Sequence, residues 1–138
     1  MVRLWQALRA DQRGAAAIEF AIIGPLLFAL LLGIVEMGRM FYVRESLEYA
    51  TEQAARYYMV NPSANFSDVK LALRNAMAGG MGSDIVITDP PASTATCNGN
   101  VAVTCTTITA TYTFVSVASF LKLGSPVLKA TAQAVRVQ

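Results

Sequence analysis

Ala15-Ala16-Ala17-Ile18-Glu19-Phe20-Ala21-Ile22-Ile23-Gly24-Pro25-Leu26-Leu27-Phe28-Ala29-Leu30-Leu31-Leu32-Gly33-Ile34-Val35 runs for 21 residues with a single charge, Glu19. Coiled as an α-helix it reaches about 30 Å, the depth of a bilayer's hydrocarbon core. A domain this small has no interior able to surround a helix that is apolar on every face. A cleaved secretory signal is the nearer competitor, because a basic leader precedes the run. Its apolar part, however, exceeds the roughly 7–15 residues of such signals, and no small-x-small site precedes the polar region. The reading is one transmembrane helix, residues 15–35, behind a basic leader, residues 1–14.

Charge sets the orientation. Arg3, Arg9 and Arg13 stand against Asp11 before the span, whereas Glu36, Glu45, Glu48 and Glu52 stand against Arg39, Arg44 and Arg56 after it. Positive charge holds the N-terminal side in the cytoplasm, so residues 36–138 are exported from the inner membrane. Charged residues make up only 14% of the chain, below the roughly 25% of soluble domains, and the apolar span accounts for the shortfall. A net charge of +2, scattered without a basic run, excludes nucleic acid as a partner.

Beyond Val35 the periodicity changes. Met40, Val43, Leu47, Ala50, Ala54 and Tyr57 recur at three- and four-residue steps, extending the helix as an amphipathic one to about residue 60, where Asn61-Pro62 ends it. Arg44–Glu48 and Glu52–Arg56 are opposite-charge pairs on its other faces. Phe66 to Met77 reads as a short second helix, capped by Asn65 or Ser67 and stopped by Gly79-Gly80. Strands are expected over Asp84–Asp89, over Thr106–Val117 and over Val127–Val137. In the second of these, Ile108, Ala110, Tyr112 and Phe114 alternate with threonines. Pro91 to Asn100 reads as loop, and Ala118 to Gly124 as a connector carrying Phe120 and Leu121. The fold class is α+β: a long N-terminal helix, a short helix, and a small antiparallel sheet against the amphipathic half.

Glu19 is the residue that needs a reason, since a carboxylate inside a bilayer helix costs on the order of 3 kcal/mol, less near the interface. Either it points to water among the cytoplasmic headgroups, or it has a partner. Pro25 lacks an N–H and crowds the carbonyl of Ala21, so a kink or loosened turn is expected at Gly24-Pro25. Glu36 and Arg39, one turn apart at the membrane edge, read as a local ion pair. Cys97 and Cys105 flank Asn98-Gly99-Asn100, where the chain can turn back. Export favours a disulfide, worth roughly 2–3 kcal/mol for so short a loop, over two buried thiols.

Two stretches resemble the TadE-like family, pseudopilins of the tight-adherence (Flp, type IVc) pilus: Arg13-Gly14-Ala15-Ala16-Ala17-Ile18-Glu19-Phe20 through Leu27, and Gly33-Ile34-Val35-Glu36-Met37-Gly38-Arg39. The likeness continues through Leu47-Glu48-Tyr49-Ala50 to Tyr58. It implies a pilin-like domain and cleavage by a prepilin peptidase between Gly14 and Ala15. Glu19 becomes the fifth residue of the mature chain, one helical turn from the new α-amine. The resemblance also implies assembly contacts at Glu19 and Phe20, and, since Glu36 and Arg39 belong to the family pattern, a subunit contact there as the alternative to the ion pair. The implied partners are other pilins or pseudopilins and an inner-membrane assembly platform.

No enzyme is legible. The chain contains no histidine, which removes the commonest general base, and Gly79-Gly80-Met81-Gly82 follows a helix where a phosphate loop would follow a strand. Two cysteines without histidine are too few for a zinc site, and no cofactor is expected. The expectation is a minor pseudopilin, a structural subunit. The alternative is an unprocessed, membrane-anchored binding module of the envelope that never enters a filament.

Overall fold

A computed structural model of the chain describes residues 13–88, 95–96, 103–117 and 124–137. The leader expectation, the Cys97 half of the cysteine pair and the connector with Phe120 and Leu121 lie outside the described residues. The chain divides into two compact units, residues 1–37 and 38–138. Helix α1, Arg13–Val60, carries on through both.

In the first unit the described part is helix alone. Its most apolar 18-residue window has a mean hydropathy of 2.5, and only 6% of that window is buried. Thirteen large apolar side chains between Ile18 and Met37 are exposed. At roughly 1.5–3 kcal/mol apiece, leaving them in water forfeits on the order of 20 kcal/mol. This one helix is long and apolar enough to cross a bilayer.

The second unit is α+β. After α1 comes α2, Phe66–Ala76, then a 3₁₀ segment, Ala78–Asp84, and strands β1 Ile85–Thr88, β2 Ala95–Thr96, β3 Val103–Thr113 and β4 Val127–Val137. Asn65 caps α2 in a reciprocal box: its side chain accepts from the Asp68 N–H, while the Asp68 carboxylate accepts from the Asn65 N–H. Gly79 and Gly80 then turn the chain away with φ of +70° and +72°, the left-handed region that glycine enters without strain. Gly82 is there for a different reason. A Cβ on it would fall 2.4 Å from the Arg74 carbonyl oxygen.

Every strand is antiparallel to its neighbour, and β3 is central. Strand β4 runs its full length along one edge, from Val103↔Val137 to Thr113↔Val127. On the other edge lie β1, by Ile85↔Tyr112, and the two-residue β2, by Ala95↔Cys105. The sheet is therefore three strands wide with four segments. Strand β3 starts and ends a few residues earlier than the alternation predicts, and β2 sits inside the stretch read as loop. Pairing with a neighbour decided both, and neither residue pattern records it.

The core joins one face of α1 (Val43, Leu47, Ala50, Ala54, Ala55) to Val69, Leu73 and Met77 of the α2 region and to Ile85, Ile108, Ala110, Phe114, Ala130 and Ala134 of the sheet region. Alanines make up much of this core on both the helix and the strands. The predicted stripe holds except at its end: Tyr57 is exposed, and Tyr58 packs instead. Asn61 explains the shift. Its amide N–H and side-chain NH₂ both donate to the Tyr57 carbonyl, so the helix closes at that turn.

Candidate functional site

The candidate site is the N-terminal part of α1, and it is built from sequence spacing on a helix. From Arg13 the described chain is helical, so Gly14 and Ala15 lie one turn before Glu19 and Phe20. Gly14 is exposed, with nothing within 4 Å of where a side chain would start. Glu19 is exposed as well. Four residues separate Ala15 from Glu19, which on a helix is one turn and about 6 Å of rise. An amine at position 15 would share a face with the carboxylate.

At Gly24-Pro25 the helix runs on without interruption. Gly24 is buried by the ring of Phe20 one turn back, with a ring carbon 3.4 Å from the position a Cβ would take. The side chain absent at Gly24 makes room for that ring beside the turn Pro25 weakens. Phe20 itself remains 66% exposed.

Glu36 and Arg39 sit on the helix face that the core stripe continues, seven and four residues before Val43. Glu36 is the one buried charged side chain among the described residues, 9% exposed. Arg39 has partners at the end of β3. Its guanidinium donates to the Val115 carbonyl and lies 4.7 Å from the centroid of the Phe114 ring. That arrangement fastens the chain leaving β3 to α1 just past the apolar span. Cys105 is half-buried in β3, opposite Val135 of β4.

One residue was not singled out from sequence. Arg136, near the end of β4, donates to the carbonyls of Tyr58 at 2.9 Å, of Asn61, and of Ala64 at 3.5 Å, with its guanidinium 3.6 Å from the Tyr58 ring centroid. A cation is favoured there because the helix end presents unsatisfied carbonyls and the negative pole of its dipole. The signal was present in the alternation. Leu128, Ala130, Ala132, Ala134 and Arg136 share the inward face of β4, and a charge in that series calls for a partner. Ser46 plays a similar joining part, accepting from the Ala78 N–H at 2.9 Å while donating to the Met77 sulfur.

A shallow groove of about 280 Å³ lies between α1 and β4, lined by Glu52, Ala55, Arg56, Met59, Thr131, Ala132 and Gln133. No group of three or more potential metal ligands occurs among the described residues.

Residues 14–56 match the family model described as TadE-like protein. No curated protein and no solved structure matches the chain. The match starts at Gly14, covers the apolar span and stops inside the amphipathic half of α1. Over that stretch the resemblance read from the residues stands. It suggests a protein associated with the Tad pilus, anchored through one apolar N-terminal helix.

Proposed function

We propose, taking this TadE-like N-terminal stretch as the premise, that the chain is a minor pseudopilin of a tight-adherence pilus or related secretion system. The observation that carries the reading is a helix exposed and apolar on all faces, interrupted once, by an acid five positions after a glycine. A prepilin peptidase removes residues 1–14. Gly14 suits an enzyme that must reach the backbone, and its surroundings are open. Trimming creates an α-amine at Ala15, which the Glu19 carboxylate of a neighbouring subunit pairs with. Two charges that are each poorly compensated in a low-dielectric setting favour the one register that joins them.

Phe20 packs beside that contact, and the weakened turn at Gly24-Pro25 lets the helix bend as it leaves the bilayer for the assembly. Glu36 and Arg39, at the end of the span, add a further contact to a neighbouring subunit. The N-terminus faces the cytoplasm and the domain is exported, where a Cys97–Cys105 disulfide staples the β2–β3 end of the sheet. A sizeable domain beyond the helix suits a minor or priming subunit better than the repeating one.

The deciding experiment is the mass and N-terminal residue of the mature protein, with and without the peptidase. Ala15 is expected at the N-terminus, and Gly14→Leu is expected to leave the full leader attached. A native mature chain that still begins at Met1 overturns the processing and favours the stably anchored binding module.

A further inference from the structure

Two hydrogen bonds within residues 38–138 show how the sheet lies along α1. Arg39 donates to the Val115 carbonyl, just past the end of β3, and Arg136 of β4 donates to the Tyr58 carbonyl. One end of the sheet is therefore level with Arg39 and the other with Tyr58. Arg39 follows Val35, the last residue of the apolar span, by four positions. That is about 6 Å of helix, and no more than about 14 Å of chain in any conformation. The headgroup layer on either side of a bilayer's hydrocarbon core is itself about 5–7 Å deep.

The two ends expose different chemistry. At the Arg39 end the described segments are Phe114-Val115-Ser116-Val117 and Gly124-Ser125-Pro126-Val127-Leu128, joined by the Phe114 N–H donating to the Pro126 carbonyl. Neither segment contains a charge. Val117 is 78% exposed, and Val115 and Val127 are exposed as well. Phe41 and Tyr42, two and three residues past Arg39 on α1, also stand open. The far end reads Asn61-Pro62-Ser63-Ala64-Asn65, with the Arg136 guanidinium against it and one exposed valine, Val60. On the sheet, the charges nearest the apolar end are Asp84 and Lys129. Lys129 pairs with Thr111, and Asp84 precedes Ile85, which pairs with Tyr112. Both stand back from the tip, where water and headgroups reach them.

We infer that this end of the domain rests on the phospholipid surface that α1 enters, with Val115, Val117 and Val127 reaching into the headgroup layer. Continuity carries the inference: the open valines lie level with the point where the chain has just left its apolar stretch. Tyr42 marks the same level, as tyrosine rings do where bilayer meets water. Apolar side chains gathered at one end of a domain mark a contact surface. Here the surface is the one to which the chain is already tethered, so a foothold too weak to hold a free domain is enough. Arg39 has a positioning part, keeping the end of β3 beside the turn of α1 that follows the span. The inference rests on the reading that the apolar half of α1 sits in a bilayer, and uses neither leader cleavage nor Glu19.

Tryptophan fluorescence of the full-length protein in phosphatidylcholine vesicles tests it, with a nitroxide quencher carried on the lipid headgroup or in the acyl chain. Trp5→Phe first removes the native tryptophan. In that background Leu30→Trp reports the span, Val117→Trp and Ser125→Trp report the proposed contact, and Val60→Trp reports the far end. All four positions are exposed. The acyl-chain quencher is expected to dim Leu30→Trp. The headgroup quencher is expected to remove about half or more of the emission of Val117→Trp and Ser125→Trp, and to leave Val60→Trp, about 30 Å further along α1 than Arg39, unchanged. High salt should not alter the pattern, because apolar side chains make the contact. Quenching at position 30 with none at 117 or 125 overturns the inference and leaves the anchoring reading intact. No quenching at position 30 overturns both. Equal headgroup quenching at 60 and 117 overturns the inference. So does shielding of position 117 from aqueous acrylamide without lipid quenching, which would mean that a protein covers this end.

Discussion

Residues 15–35 and residues 40–58 lie on one helix, yet the two halves are held in opposite ways. The first half has no preferred face, and its side chains reach outward all round. The second commits one face to a core, with Leu47, Ala50 and Ala54 almost fully enclosed, and leaves charges on the rest. The backbone is the same in both. What differs is whether apolar residues are continuous or recur every three to four positions, and that alone decides between a bilayer and a folded domain as the solvent.

The sharpest way to break this comparison is at the single charge of the first half. Glu19→Ala should leave membrane insertion intact, or slightly favoured, while pilus assembly falls to background by electron microscopy or shearing assays. Normal piliation in that strain would remove the pairing role. The next largest effect lies in the second half. Leu47→Ala is expected to destabilise the folded domain by about 3 kcal/mol, the range for emptying a well-packed leucine site. Leu30→Ala, 57% exposed on the apolar half, should change the same unfolding transition by less than about 0.5 kcal/mol. Thermal unfolding of the full chain in detergent reads both, and equal shifts would contradict the division.

Two smaller effects refine the domain side. Gly82→Ala drives a methyl into the Arg74 carbonyl and should cost about 1–3 kcal/mol, unlike Gly38→Ala, which meets open space. Asn65→Ala removes the α2 cap and should cost about 1 kcal/mol. A Gly82→Ala chain as stable as the native one would mean that the turn yields easily.

The helical half of this architecture was readable because its signals are local. The span needs only composition, the stripe only a period, and α2 only a cap at Asn65 or Ser67 and a glycine stop. The sheet was readable in part. Thr107 to Phe114 announce a strand by alternation, and the Val127–Val137 strand matches its predicted bounds. The two residues of β2 show no pattern at all, because their only reason to be a strand is that Thr104 and Cys105 lie opposite. Tyr57 and Tyr58 show the limit on the helix. Period alone cannot choose between adjacent aromatics at a helix end, and the closing hydrogen bonds of Asn61 made the choice. The N-terminal site was legible as a motif, Gly14 through Phe20. Arg136 showed only as a charge in the inward-facing series of the last strand, and its acceptors, 72 to 78 positions away in the chain, left no local mark.

That last separation bears on biogenesis. The carbonyls at the top of the long helix wait for a guanidinium supplied almost at the other end of the polypeptide, so local order cannot finish the domain as it emerges. Closing so distant a contact is slow compared with winding a helix. If the domain is exported as proposed, nearly the whole chain must cross before α1 acquires its finished end, and a subunit halted late would present an open helix end and a missing border strand.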